Sequence, residues 1–200
     1  MSMTAGLVGF GNNKKGNLPR LIRTFTRSGA DGLPPISHTF VTTAEFLGVE
    51  SVQEAGAVVQ VVPMDTHYRN DPFQQYWLYE ILQEYASNEI RFKALREIYR
   101  ELEGDAYGSL QLLWFPWRWF NEKVLHRDIR HEKNWMTDGV ICSELVYRYL
   151  WKLGPVFQDL LKDFNPDTIQ AEDIRQIVVK NPKIFRLVEY KEVDEVVKVA

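Results

Sequence analysis

The chain has 200 residues and a formal net charge of -3, a length that suits one domain with a real core. That charge argues against a protein built around general polyanion binding, so no nucleic-acid partner is expected. Its single cysteine excludes the disulfide-stapled secreted class, and no apolar run approaches a membrane span.

The first residues, M-S-M-T-A-G-L-V-G-F, lack the basic start and long apolar run of a Sec signal peptide. The expectation is a soluble protein, cytoplasmic or carried in a phage particle. Residues 5–10 form a short apolar run ended by Gly11-Asn12-Asn13, which predicts a strand and turn. Residues 18–28 place Leu21, Ile22 and Phe25 on one helical face and Arg20, Arg23 and Arg27 on the other. We read that basic stripe as a solvated face, with a contact to a substrate carboxylate or phosphate as the alternative.

A Gly/Pro-rich loop then delivers the chain to Ser37-His38. Three segments of strand composition follow, with Gly48 and Gly56 at the expected turns, predicting an antiparallel meander. Asp71-Pro72 looks like a helix opening, and apolar spacing from Phe73 to Leu102 predicts helix over residues 71–103, broken near Ser87-Asn88. The aromatic run around Pro116 (Trp114, Phe115, Trp117, Trp119 and Phe120) could line a groove or touch a membrane surface. Without a basic amphipathic repeat, burial is the preferred reading. The helix that starts at Cys142 should end at Gly154-Pro155. A further helix is expected over 171–178 and a final strand over 184–190.

Cys142 sits in D-G-V-I-C-S-E-L-V-Y, a loop running into a helix. A helix start concentrates unpaired N–H groups and positive potential, which favour a thiolate. Taken alone, a lone cysteine is more often a small buried hydrophobe, and the case for a nucleophile rests on its partners. A thiol nucleophile needs a base, most often histidine, and a group that orients the base. Of the four histidines, His126 and His131 lie in a charged stretch and His67 in a loop that should face water. His38 opens a strand and can project from a sheet edge toward a helix end. If the two strands pair through residues 44–48, Glu54, sixteen residues on, returns to the level of His38 as the orienting carboxylate. Glu144 reads as a helix-start carboxylate rather than a catalyst. No phosphate-binding loop, H-E-x-x-H, C-x-x-C or EF-hand pattern occurs, so no metal or cofactor is expected.

The ordered set S-H-T-F-V, V-E-S-V-Q-E-A-G and V-I-C-S-E-L-V resembles the circularly permuted branch of the NlpC-type papain-like cysteine hydrolases, related to the lecithin:retinol acyltransferase group. The resemblance covers roughly residues 5–62 and 104–154. It implies an α+β permuted papain-like fold, with an antiparallel sheet packed against the cysteine-bearing helix. The chain would be one domain over 1–200 carrying a helical, aromatic-rich insertion at about 71–121. The family's nucleophile maps to Cys142, its base to His38 and its orienting residue to Glu54. The implied activity is thiol hydrolysis of amide or ester bonds in a peptide or acylated small-molecule substrate, such as cell-wall peptide or acyl lipid. A cysteine acyltransferase and a non-catalytic binding or structural module, such as a phage-particle component, are the alternatives. The chain departs from the family at Thr39-Phe40, where small or aliphatic residues usually follow the histidine, and in the enlarged 71–121 region.

Overall fold

The computed structural model describes residues 6–15, 17–26, 34–44, 47–51, 59–108, 110–134, 139–192 and 195–198. The fold is α+β. Strands β1 (Val8–Asn13), β2 (His38–Ala44), β3 (Leu47–Ser51), β4 (Val59–Pro63), β5 (Gln74–Ile81), β6 (Phe185–Glu192) and β7 (Glu195–Lys198) form one sheet. Its order is β4-β3-β2-β1-β5-β6-β7, and every neighbouring pair is antiparallel. The helices are α1 (Asn17–Thr26), α2 (Asn88–Leu102), α3 (Trp114–Lys123), α4 (Cys142–Lys152), α5 (Pro155–Leu161) and α6 (Ala171–Lys180).

Alternation along the strands divides the sheet into two faces. Phe10, Val41, Val49 and Trp77 join the main core with Leu145 and Tyr149 of α4 and Ile98 of α2. The opposite parity, Phe40, Val62, Tyr76 and Leu78, packs with Met64 and Tyr68 in a second cluster. Tyr68 belongs to a short π-helical turn, Asp65–Arg69, that covers this second face. Helix α4 is buried over most of its circumference, with the polar Ser143 and Glu144 buried beside its apolar residues.

Gly9 of β1 lies under the Phe40 ring. A Cβ there would stand 2.3 Å from ring carbons, so only glycine lets Phe40 pack across the strand. Phe40 in turn stacks on Tyr68 with centroids 4.2 Å apart. The bulky residue after His38 is thus accommodated in the second cluster.

The helix expected over 71–103 is corrected in its first part. Residues 74–81 form β5, hydrogen-bonded between β1 and β6 in the middle of the sheet. Its sequence Q-Q-Y-W-L-Y-E-I is rich in aromatic residues and buried on both faces, so it shows no polar alternation to mark it as a strand. Asp71 caps only a turn, accepting from the Phe73 N–H at 2.8 Å. Helix α2 starts after Ser87, whose hydroxyl accepts from the Ile90 N–H. Gly48 lies within β3, paired with Thr42 and Val62, rather than at a turn. Gly56 lies outside the described residues. Gly154, at φ +121°, ends α4, and Pro155 opens α5, a helix the sequence reading did not include. It did not include β7 either.

Candidate active site

Cys142 is the first residue of α4, and its placement follows from how the preceding loop is pinned. The Val140 N–H donates to the Ala106 carbonyl at 2.9 Å, and the Gly108 N–H donates to the Val140 carbonyl at 3.3 Å. The Ser51 hydroxyl, from the end of β3, donates to the same carbonyl at 2.5 Å. Gly139 lies against this bridge, where a Cβ would stand 2.2 Å from the Ala106 carbonyl oxygen. Ile141, the residue before the helix, offers no side-chain cap. The first-turn N–H groups of α4 are the donors a helix start leaves without intrahelical partners.

His38 is the first residue of β2. Its Nε2–H donates to Glu50 Oε2 at 2.8 Å, and Cys142 lies near enough to act on the ring by charge and hydrogen bonding. Burial pulls the His38 pKa down, but the charge and hydrogen bond of Cys142 and those of Glu50 outweigh it and raise the value to about 10. The imidazolium form is therefore favoured across neutral pH.

Glu50 is only 2% exposed and gathers two hydrogen-bond donors and one more distant histidine. Besides His38, the Tyr68 hydroxyl donates to Oε2, and His67 Nδ1 lies 3.7 Å from Oε1. Burial alone would raise its pKa, yet the bonds from His38 and Tyr68 and the nearby His67 hold it below the usual carboxylate range. Tyr68 is pushed well above its ordinary value by burial, by Glu50 and by the charge at Cys142. Tyr107, beside the loop before Cys142, is raised by burial and the same charge.

These groups border a cleft of about 520 Å³, whose wall includes His38, Glu50, His67, Tyr68, Gln74 and Tyr107, with Pro19 and Ile22 contributed by α1. Cys142 is 6% exposed and lies behind this wall, next to His38 and Tyr107.

Two of the three residues singled out from the sequence, Cys142 and His38, are thus brought together. Glu54 lies outside the described residues, and His38 has its carboxylate partner in Glu50. The reason is register. Val41 pairs with Val49 and Thr42 with Gly48, so Glu50 falls opposite Phe40, diagonally next to His38 on the same face. The Ala44–Leu47 pair lies beyond an irregularity at Thr42/Ala44, and on the His38 side of it the register makes Glu50, opposite Phe40, the carboxylate of that face.

His67, read as facing water, is 32% exposed at the side chain and reaches Glu50 instead. His126 and His131 are exposed, as expected. Glu144 is buried and tied to Arg148 at 2.5 Å and to Gln111 at 3.2 Å; burial raises its pKa. Arg23 turns inward to Asn12 and the Asn13 carbonyl, while Arg20 is exposed and Arg27 lies outside the described residues. Tyr68 and Glu50 were missed from the sequence. The signal for Glu50 was its membership of V-E-S, one strand from S-H and on the same parity as His38.

Among the described residues, no group of three His, Cys, Asp or Glu is placed to hold a metal ion. None of the described helices is long and apolar enough to cross a membrane. Compared with known proteins, the chain matches no family model and no curated protein.

Proposed function

We propose that the protein is a thiol hydrolase of amide or ester bonds, built on a permuted papain-like arrangement, with Cys142 as nucleophile, His38 as acid–base and Glu50 as the residue that positions His38. The observation carrying this reading is the juxtaposition itself: one imidazole bonded through Nε2 to a buried carboxylate and interacting with the only thiol in the chain.

In the first step the Cys142 sulfur bonds to the substrate carbonyl carbon, and the C=O π electrons move onto oxygen. The orphan N–H groups at the start of α4 are the donors for that oxyanion. As the C–N or C–O bond breaks, the electron pair leaves with nitrogen or oxygen and His38 Nδ1–H supplies its proton. Neutral His38 then takes a proton from water, whose oxygen attacks the thioester and returns the free thiol. An alcohol or amine in place of water would make the same steps an acyl transfer. Glu50 keeps the ring oriented and favours its charged form, and Tyr68 holds Glu50 in place.

The test uses p-nitrophenyl acetate and intact-mass analysis. An acetyl adduct should form on Cys142, then disappear with turnover. His38→Ala should abolish it at neutral pH and Cys142→Ala should lack it altogether. A folded protein whose thiol never acylates would overturn the reading. A second reading is a binding or structural module of the same fold, such as a phage-particle component. The observation favouring it is the 6% exposure of Cys142 behind the cleft wall, and an inert thiol would establish it.

A further inference from the structure

Gln74, the first residue of β5, is 4% exposed and lines the cleft beside His38. It has the parity of Tyr76 and Leu78, so its side chain lies on the sheet face covered by the turn that carries Tyr68. Gly11 of β1, paired with His38, leaves the space for it. A Cβ there would stand 2.6 Å from Gln74 Nε2 and 3.7 Å from His38 Cβ. The carboxamide and the imidazole therefore flank the same bare stretch of backbone.

The backbone N–H of Gln74 donates to the Asp71 carbonyl at 3.2 Å, but its side chain forms no hydrogen bond among the described residues. The contrast is with Gln75, which faces the other way and accepts from Asn12 Nδ2 at 2.8 Å. A carboxamide left open toward a cleft keeps both a donor and an acceptor for what enters it.

The cleft does not select by charge. Glu50 is taken by His38 and Tyr68, and the remaining permanent charges on its wall are Lys15 and Asp71, one of each sign. What it offers is a neutral donor and acceptor side by side, with apolar surface from Pro19 and Ile22. One residue of an extended peptide presents its N–H and C=O on the same side, which matches that pair. An ester lacks the N–H and would leave the Gln74 carbonyl unserved.

We propose that Gln74 binds the substrate backbone: its carboxamide pairs with the N–H and C=O of one residue of an extended peptide, so that the cleft takes peptides in preference to simple esters. This rests on the hydrolase reading of the same cleft and narrows its substrates from amides or esters to peptides.

The test uses the full chain carrying Cys142→Ala, which cannot turn a substrate over, and two ligands of equal length. One is acetyl-dialanine methylamide; the other is its depsipeptide analogue, in which oxygen replaces each N–H. The side-chain NH2 signals of Gln74, identified by their loss in Gln74→Met, should shift and saturate as the peptide is added. The depsipeptide should bind roughly tenfold or more weakly. Gln74→Met, of similar size, should lose about tenfold in peptide affinity and hold both ligands alike. Gly11→Ala should act in the same direction, because its methyl displaces the carboxamide while meeting His38 Cβ only at ordinary contact distance. A peptide that leaves the Gln74 signals unmoved would overturn the proposal, as would equal binding of peptide and depsipeptide, and neither result needs a substitution in the cleft wall. Peptide binding through Gln74 together with a thiol that never acylates would sink the hydrolase reading and leave the peptide site standing.

Discussion

Replacing Glu50 by Gln keeps the size and a hydrogen-bond acceptor beside His38 but removes the charge, so it isolates the electrostatic part of the relay. The His38 value of about 10, against 6.5 for an ordinary imidazole, corresponds to about 5 kcal/mol of preference for the charged ring. Its interactions with Cys142 and Glu50 supply it against the cost of burial. Loss of an opposite charge within hydrogen-bond distance lowers a histidine pKa by about one to three pH units, so the His38 midpoint in Glu50→Gln should fall between about 7 and 9. The assay is an NMR titration of the imidazole carbon and nitrogen shifts, with His38→Gln to assign the signal among four histidines. The sign carries into stability. A raised folded-state value means His38 stabilises the fold fully below pH 6.5 and loses that contribution as pH rises through about 10. In Glu50→Gln the alkaline loss should begin at lower pH. A wild-type midpoint near 6.5, or the same midpoint in both proteins, would refute the argument that Glu50 charges the ring.

Gly139→Ala forces a methyl against the Ala106 carbonyl, displacing the bridge that sets the start of α4. Acylation of Cys142 should slow by about tenfold or more, as a small misplacement of a reacting group does, while the urea midpoint moves much less; equal rates in the two proteins would refute this. Arg118→Ala strips the partner from Asp173 and Glu122 and leaves the Thr168 carbonyl without its donor, where α3 meets α6. Because the guanidinium is 3% exposed, the loss should be about 3–5 kcal/mol in urea unfolding, and a change under about 1 kcal/mol would count against a buried network.

Much of the layout was legible because local signals agreed with the tertiary outcome. The β2–β3–β4 meander and the helix after Ile141 follow from strand composition and chain order, and the pairing of Cys142 with His38 was expected from the family resemblance. Strand β5 was not, because a strand buried on both sides loses the alternation that identifies it, and its aromatic residues also fall at helical spacing. Trp117 and Phe120 were expected inside by composition. Their exposure follows from the direction in which α3 lies, with Trp114, Phe115 and Arg118 taking the inward positions. Which side of a uniformly aromatic helix is buried is a property of the packing partner, here α1 and α6, and not of the helix.

Glu50 shows how narrow the margin can be. From the sequence alone, an even-numbered residue of this segment can share a face with His38, which leaves both Glu50 and Glu54 as candidates. The pairing of Val41 with Val49 and Thr42 with Gly48 selects Glu50, and no side-chain pattern announces that register. The same parity explains why the relay sits at the very start of β2. Val41 faces α4, whereas His38 and Phe40 point to the second face with Tyr68. Within the strand those faces are separated by the sheet itself. Only at its first residue can a side chain of the second face reach round to the end of α4, and the helix begins there with the thiol. A histidine two positions later, at Phe40, would keep Glu50 opposite it but would lie inside the strand, under the Tyr68 ring. His38 therefore joins two layers that the sheet otherwise keeps apart, so the relay depends on where β2 begins as much as on which residues it contains.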